Sequence, residues 1–366
     1  MKLLSLLLAV LLQAPSPALT GKAYRFDKIT EGVYYATATG SLVTGSNNVA
    51  IIGSRDMLVV DTGTTPAAAR AFIDDLKLVT TKPVRYVVNT HFHYDHTDGN
   101  QVYAGKADII AHDYVKQAIQ TLDVLHREPY QTSQLVNVPR RIDDLKRQLA
   151  GAKDAAARQM IQQQLKVAQE GFEQLKEIKP TAPNVTYSTK KVLDLGGREV
   201  QLLFLGRGHT NGDTVVFLPK EKIVATGDLM ESQIAYMGDA QFAEWVTTLD
   251  ALNRLDFDTD LPGHGMPFKG KELITAFQGY LRDLMKQGAD LRKQGVTADA
   301  AAQRVDLTAY RSSFPQIQGR GAELRGVQRL YAWMEEQSKS NPAILAARPS
   351  GGPDRDKGDG IPCRKP

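Results

Sequence analysis

The stretch Thr90-His91-Phe92-His93-Tyr94-Asp95-His96 sets four potential metal ligands within six positions, directly after residues 84–89, an apolar run that reads as a buried strand. His91 and His93 are two apart, so in a locally extended chain both project from one side and can hold one ion. Asp95 and His96 follow once the chain turns, and can address a second ion beside the first. Three more candidates come after β-rich or extended runs: His209 after 201–205, Asp228 after 222–226 and His264 after 260–262. Strand ends collect ligands on one rim. Glycine flanks each of them, in Gly208-His209-Thr210, Gly227-Asp228 and Gly263-His264-Gly265, which allows close backbone approach or positive φ. A single histidine after a strand is ordinarily a hydrogen-bonded structural residue, and a Gly-Asp pair a turn. The ordered set of seven is what reads as a metal centre, and of the seven histidines in the chain only His112 and His126 stand outside it.

The surroundings predict a layered protein. Short β-rich runs at 33–37, 48–52 and 57–60 read as antiparallel strands, and 66–78 as a helix with Ala69, Phe72, Ile73 and Leu76 on one face. Strands follow at 199–205, 214–218 and 222–226, then a helix at 242–255, so the fold class is α/β. Between Asp113 and Pro180 the strand pattern stops. Ile142, Leu145 and Leu149, then Ile161, Leu165, Phe172 and Leu175, recur at helical spacing and predict paired helices turning near Gly151. Such an insertion can close over the site as a lid or carry a homodimer contact. Helices are expected again at 273–294 and 322–337. The resulting plan is a leader at 1–18 and a catalytic domain at 22–268, with its helical insertion at about 113–180. A C-terminal helical segment at 269–345 and a disordered tail at 346–366, too rich in Gly, Pro and charge to bury, complete it.

Composition narrows the partners. With 42% hydrophobic and 23% charged residues over 366 positions, the chain can bury a full core. The formal charge of +4 is small, and no run of Lys and Arg interleaved with aromatics marks a nucleic-acid surface. A small-molecule substrate is expected instead. Lys2 followed by the apolar residues 3–12 reads as a secretory signal, too short for a stable membrane span of about 20 residues. An exported protein, periplasmic or secreted, is therefore expected. Cys363 is the only cysteine, so no internal disulfide can form.

The order His-x-His-x-Asp-His, Gly-His-Thr, Gly-Asp, Gly-His resembles the metallo-β-lactamase superfamily of αββα hydrolases, from roughly Ala23 to Pro267 without the insertion. The resemblance implies a four-layer αββα fold. It also implies that His91, His93 and His209 hold one ion and Asp95, His96 and His264 the other, with Asp228 bridging them. In Leu58-Val59-Val60-Asp61-Thr62-Gly63, Asp61 would support the site from behind its ligands; a plain turn residue is the competing reading.

Nitrogen and carboxylate donors without thiolate suit two zinc ions, and manganese or iron can use the same set. Two ions roughly 3.5–4 Å apart can share a water, lower its pKa from about 15.7 towards about 7, and so present hydroxide without a catalytic Ser or Cys. Asp95 is the candidate for passing a proton to the leaving group. The family cleaves thioesters, β-lactams, lactones, phosphodiesters and sulfate esters, so fold alone does not choose. Asp228 together with His96 is similar to the glyoxalase II and lactonase pattern, which favours an ester, thioester or lactone. Export supports a β-lactamase as the alternative, and a metal-bearing binding scaffold is the non-enzymatic one.

Overall fold

The structure, a computed structural model, describes residues 17–340. The leader expected at 1–18 lies almost wholly outside these residues, and the tail at 346–366 lies entirely outside them.

Strands β1 (Leu19–Thr20), β2 (Tyr24–Thr30), β3 (Val33–Ala38), β4 (Asn48–Ile52) and β5 (Met57–Val60) form an antiparallel meander. Helix α1 (Pro66–Asp75) leads to β6 (Val84–Val88), parallel to β5. Two single-turn helices, α2 (Tyr94–Thr97) and α3 (Asn100–Tyr103), then lead to β7 (Asp108–His112). Helices α4 (Asp113–Thr121), α5 (Val138–Gly151) and α6 (Ala155–Gln174) intervene before β8 (Val185–Tyr187) completes an eight-stranded sheet in sequence order. The second sheet takes β9 (Lys190–Asp194), β10 (Glu199–Phe204), β11 (Thr214–Leu218) and β12 (Ile223–Gly227). After α7 (Phe242–Asn253), it is completed by β13 (Thr259–Pro262) and β14 (Phe268–Lys269), six strands in all. Helices α8 (Glu272–Lys293), α9 (Ala298–Arg304) and α10 (Leu324–Ser340) follow.

Period-two alternation in the strands makes the layers. Val49, Ile51, Leu58 and Val60 face the second sheet and meet Val200, Leu202, Val216 and Leu218 there. Their neighbours Ala50, Met57 and Val59 face the other way, onto Phe72 and Leu76 at the end of α1. Val215, Phe217 and Val224 leave the second sheet on its far side and pack with Trp245 and Leu249 of α7 and Phe277 and Leu281 of α8. Helices, sheet, sheet and helices are therefore stacked in the αββα order. Thr65 starts α1 by accepting the Ala68 amide at 3.1 Å, with Pro66 in the first turn.

The helical insertion is present where its spacing predicted, and α5 ends at Gly151. Arg158 locks the turn by donating to the carbonyls of Leu149 and Ala152, each at 3.0 Å. A π-helical stretch, Gln131–Asn137, leads into α5. The insertion docks on its own domain: a Cβ on Gly171 would come within 2.7 Å of Val43. Among the described residues no helix is long and apolar enough to cross a membrane.

Candidate metal centre

All seven sequence-predicted residues converge, and each comes from a strand end or the loop beyond it. His91 and His93 follow β6, and Asp95 and His96 sit on the single turn α2, so the chain turns where the spacing required. His209 lies on the β10–β11 loop, Asp228 directly follows β12 and His264 closely follows β13. Because β12 and β13 run parallel and Gly263 N donates to the Gly227 carbonyl at 2.9 Å, Asp228 and His264 are brought side by side. Glycine is required at two of these points. Gly227 has φ +54°, and a Cβ there would lie 2.5 Å from the Thr90 hydroxyl. A Cβ on Gly263 would lie 2.3 Å from Asp228 Oδ1.

The donor atoms form two groups, His91, His93, His209 and Asp228 in one and Asp95, His96 and His264 in the other, each with its ligand atoms within 4.8 Å of one another. Asp228 faces both. Its Oδ2 lies 3.7 Å from His91 Nε2, 3.6 Å from His209 Nε2 and 3.5 Å from His264 Nε2, and its Oδ1 lies 3.3 Å from His96 Nε2.

Hydrogen bonding behind the ligands fixes which nitrogens carry lone pairs. Asp61 Oδ1 accepts the Thr90 amide at 2.8 Å, while its Oδ2 accepts the Thr90 hydroxyl at 2.9 Å and His96 Nδ1 at 2.7 Å. Having donated to Asp61, the Thr90 hydroxyl accepts from His91 Nδ1 at 3.1 Å. His93 Nε2 donates to Asp239 Oδ2 at 2.9 Å. The lone pairs of His91 Nε2 and His93 Nδ1 then confront each other at 3.1 Å, and His209 Nε2 stands 3.1 Å from the same His93 Nδ1. His96 Nε2 and Asp228 Oδ1 are buried with no hydrogen-bond partner. Convergent acceptors of this kind are costly unless a cation lies between them, so the residues fit a metal.

Charge sorts the two groups. Burial, reinforced by the neighbouring charge of His96, holds His91 well below the usual histidine range, and burial pulls His209 down to about 3, so both rings are neutral as ligands must be. Burial also opposes charge on His96 and His264, but Asp228 and Asp95 outweigh it and hold both well above that range. Positive charge is thus favoured at these two nitrogens, and a divalent ion supplies it as a proton does.

Asp61 answers both sequence readings. It occupies the left-handed region, φ 61°, and it orients one ligand in each group. Asp61→Asn keeps a residue that tolerates this backbone and removes one acceptor. Its metal affinity is expected to fall roughly 10–100-fold by competition with a chromogenic chelator; unchanged affinity would leave Asp61 a turn residue only.

Asp239 and Arg127 are functional residues that the sequence reading missed. The Asp239 carboxylate receives His93 on one oxygen and Arg127 Nη2 at 2.7 Å on the other, and these partners, outweighing burial, hold its pKa well below the usual carboxylate range. No local pattern signals the contact, because 146 residues separate Asp239 from His93. Asp239→Asn is expected to lower kcat/KM about 10-fold or more at reduced metal occupancy; wild-type kinetics at full occupancy would deny it the role. The two remaining histidines are structural or exposed: His112 stacks on Phe204 at 4.1 Å, and His126 faces Asp123 on the surface.

A cavity of about 230 Å³ opens on the centre, walled by His93, Tyr94, Asp95, Asp228, Glu231 and His264 on one side and by Pro129, Ser133, Gln233, Ile234 and Tyr236 on the other. Neither lysine nor arginine lines it. Burial, with Asp228 nearby, pushes the Glu231 carboxyl up to about 8.

The profile of the family described as the metallo-beta-lactamase superfamily matches residues 42–264. A linear primary-alkylsulfatase from Pseudomonas sp. is 22% identical over 282 residues, covering 70% of this chain and 49% of its own. This chain thus spans about half the length of that relative. Among solved structures, a stereoselective inverting sec-alkylsulfatase from Pseudomonas sp. superposes with TM-score 0.54 at 18% identity, over 88% of this chain and 52% of its own. A metallo-beta-lactamase from Pontibacter korlensis superposes with TM-score 0.50 at 18% identity, over 71% of this chain and 99% of its own.

Proposed function

This chain belongs to the metallo-β-lactamase superfamily, a family of hydrolases, and from that we propose that it is a dinuclear zinc hydrolase cleaving an ester, thioester or lactone. The observation that carries the reading is the pair of converging donor groups with the Asp228 carboxylate turned to both. His91, His93 and His209 would hold one ion, Asp95, His96 and His264 the other, and Asp228 would bridge. Donors of nitrogen and carboxylate oxygen without sulfur support zinc. When bound, the metal pair supplies Lewis acidity and a water acidic enough to act as nucleophile at neutral pH. The complete donor set sets the scaffold alternative aside.

The protein's own groups supply the rest. Asp61 and Asp239 fix the imidazole orientations, and the small cavity gives the scissile bond a place beside them. Asp95 lines that cavity, and its Oδ2 lies 3.1 Å from His264 Nε2. In this proposal Asp95 takes the proton released by the attacking water and passes it to the departing oxygen or sulfur. Asp95→Asn, assayed at saturating zinc because a ligand is lost, should lose about 10²-fold or more in kcat; full rate with full metal would remove the step.

Two divalent ions would outweigh Asp95 and Asp228, and burial keeps Glu231 protonated at neutral pH, so the loaded cavity admits neutral and anionic esters alike. A sulfate ester is the second reading, favoured by the likeness to the two alkylsulfatases. Turnover of a lactone, a thioester, a carboxylic ester, an alkyl sulfate and a chromogenic cephalosporin by the zinc-loaded protein tests the choice. A lead for the alkyl sulfate or the cephalosporin would displace the ester, thioester or lactone reading.

The insertion is assigned here as a wall of the site rather than a dimer contact, because Arg127 reaches Asp239 and Pro129 and Ser133 line the cavity. Export is part of the proposal and rests on Lys2 and the apolar residues 3–12. The N-terminal sequence of protein recovered outside the cytoplasm tests it.

A further inference from the structure

A second, larger cavity of about 860 Å³ lies against the first and shares four of its lining residues, Pro129, Ser133, Ile234 and Tyr236. It runs between the insertion and the C-terminal helical segment, with Thr132 and Asn137 on one wall and Tyr280, Ala302, Gln303 and Ile317 on the other. Its volume falls within the roughly 300–1,000 Å³ of small-molecule sites, whereas the cavity at the metal centre falls below it.

Three of the four charged side chains on this wall, Glu128, Arg325 and Arg320, are ion-paired, and Glu323 is held by backbone amides. Glu128 meets Arg325 at 2.5 Å, Arg320 meets Asp306 at 3.1 Å, and Glu323 accepts the amides of Arg325 and Gly326 at 3.0 and 2.7 Å. Between those pairs the surface alternates apolar groups, Ile234, Ala302 and Ile317 among them, with the amides of Gln303, Gln316 and Gln318. Arg320 is largely exposed at the rim, but beside the partly buried Glu128–Arg325 pair an occupant bearing charge would have to break that pair, and a neutral, largely apolar one would not.

Resting on the hydrolase reading above, we propose that this cleft seats the distal part of the substrate, a neutral and mainly apolar acyl or aryl group, while the scissile bond occupies the small cavity at the metal centre. The cleft then sets specificity by size and charge, favouring medium-chain neutral acyl groups over short ones and over acyl groups ending in a carboxylate.

The test uses zinc-loaded protein and two readouts. Binding of acetanilide, octananilide and suberanilic acid is measured by calorimetry, and hydrolysis is followed with para-nitrophenyl acetate and octanoate. Octananilide should bind at least about 10-fold tighter than acetanilide, given about 0.8 kcal/mol for each buried methylene, and suberanilic acid should lose most of that gain. Ile317→Trp and Gln303→Trp, at a half-buried and an exposed wall position, fill the cleft. Each should abolish the octanoyl preference and leave acetyl binding and turnover within about 2-fold. Equal binding of the two neutral anilides by the wild type, or an undiminished preference in both variants, would overturn the proposal. If the anilide preference holds while no ester is cleaved, the cleft stands and the hydrolase reading falls; if esters are cleaved without preference, the reverse follows.

Discussion

Asp228→Ala is expected to lower kcat/KM by about 10³-fold or more, at or beyond the loss seen when a single oxyanion donor is removed. The Asp228 carboxylate is turned to both donor groups: one oxygen faces His91, His209 and His264, and the other faces His96. Without it the histidines retain their places but lose the shared negative charge that offsets two divalent ions. Bound zinc should fall from about two per chain to about one or fewer. The side chain is buried at 5% exposure, so circular dichroism and thermal melting must accompany the kinetics. A folded variant with near wild-type turnover and full metal would remove Asp228 from the bridge.

Chelation is expected to produce the largest change in stability. Asp61, Asp95 and Asp228 are buried within one cluster, and the lone pairs of His91 and His93 meet at 3.1 Å. Metal that binds only the folded chain stabilises it by about 4.1 kcal/mol at a free concentration of about 1,000 times Kd. For a chain of this size that corresponds to a melting temperature lowered by roughly 5 °C on chelation and restored by zinc. A melt insensitive to chelator and zinc alike would contradict the assignment.

What the sequence disclosed divides along contact distance. His91, His93, Asp95 and His96 were legible because β6 and the turn α2 place them by local geometry alone. His209, Asp228 and His264 were legible through their flanking glycines, two of which the packing requires, at Gly227 and Gly263. Asp239 and Arg127 were not, since their meeting depends on the insertion folding back across 112 residues. Strand β2 was missed for another reason: only Tyr24 and Phe26 are buried in it, and the polar Asp27, Lys28 and Thr30 around a half-buried Ile29 hide the alternation. The central strands, buried on both faces between helices and the opposite sheet, announced themselves as continuous apolar runs.

The most direct test is anomalous diffraction at the zinc edge from crystals of the zinc-loaded protein. Two peaks are expected about 3.5–4 Å apart, one bonded by His91, His93 and His209, the other by Asp95, His96 and His264, with Asp228 reaching both. A single peak, or density away from these seven residues, would contradict the dinuclear centre on which the proposed function stands.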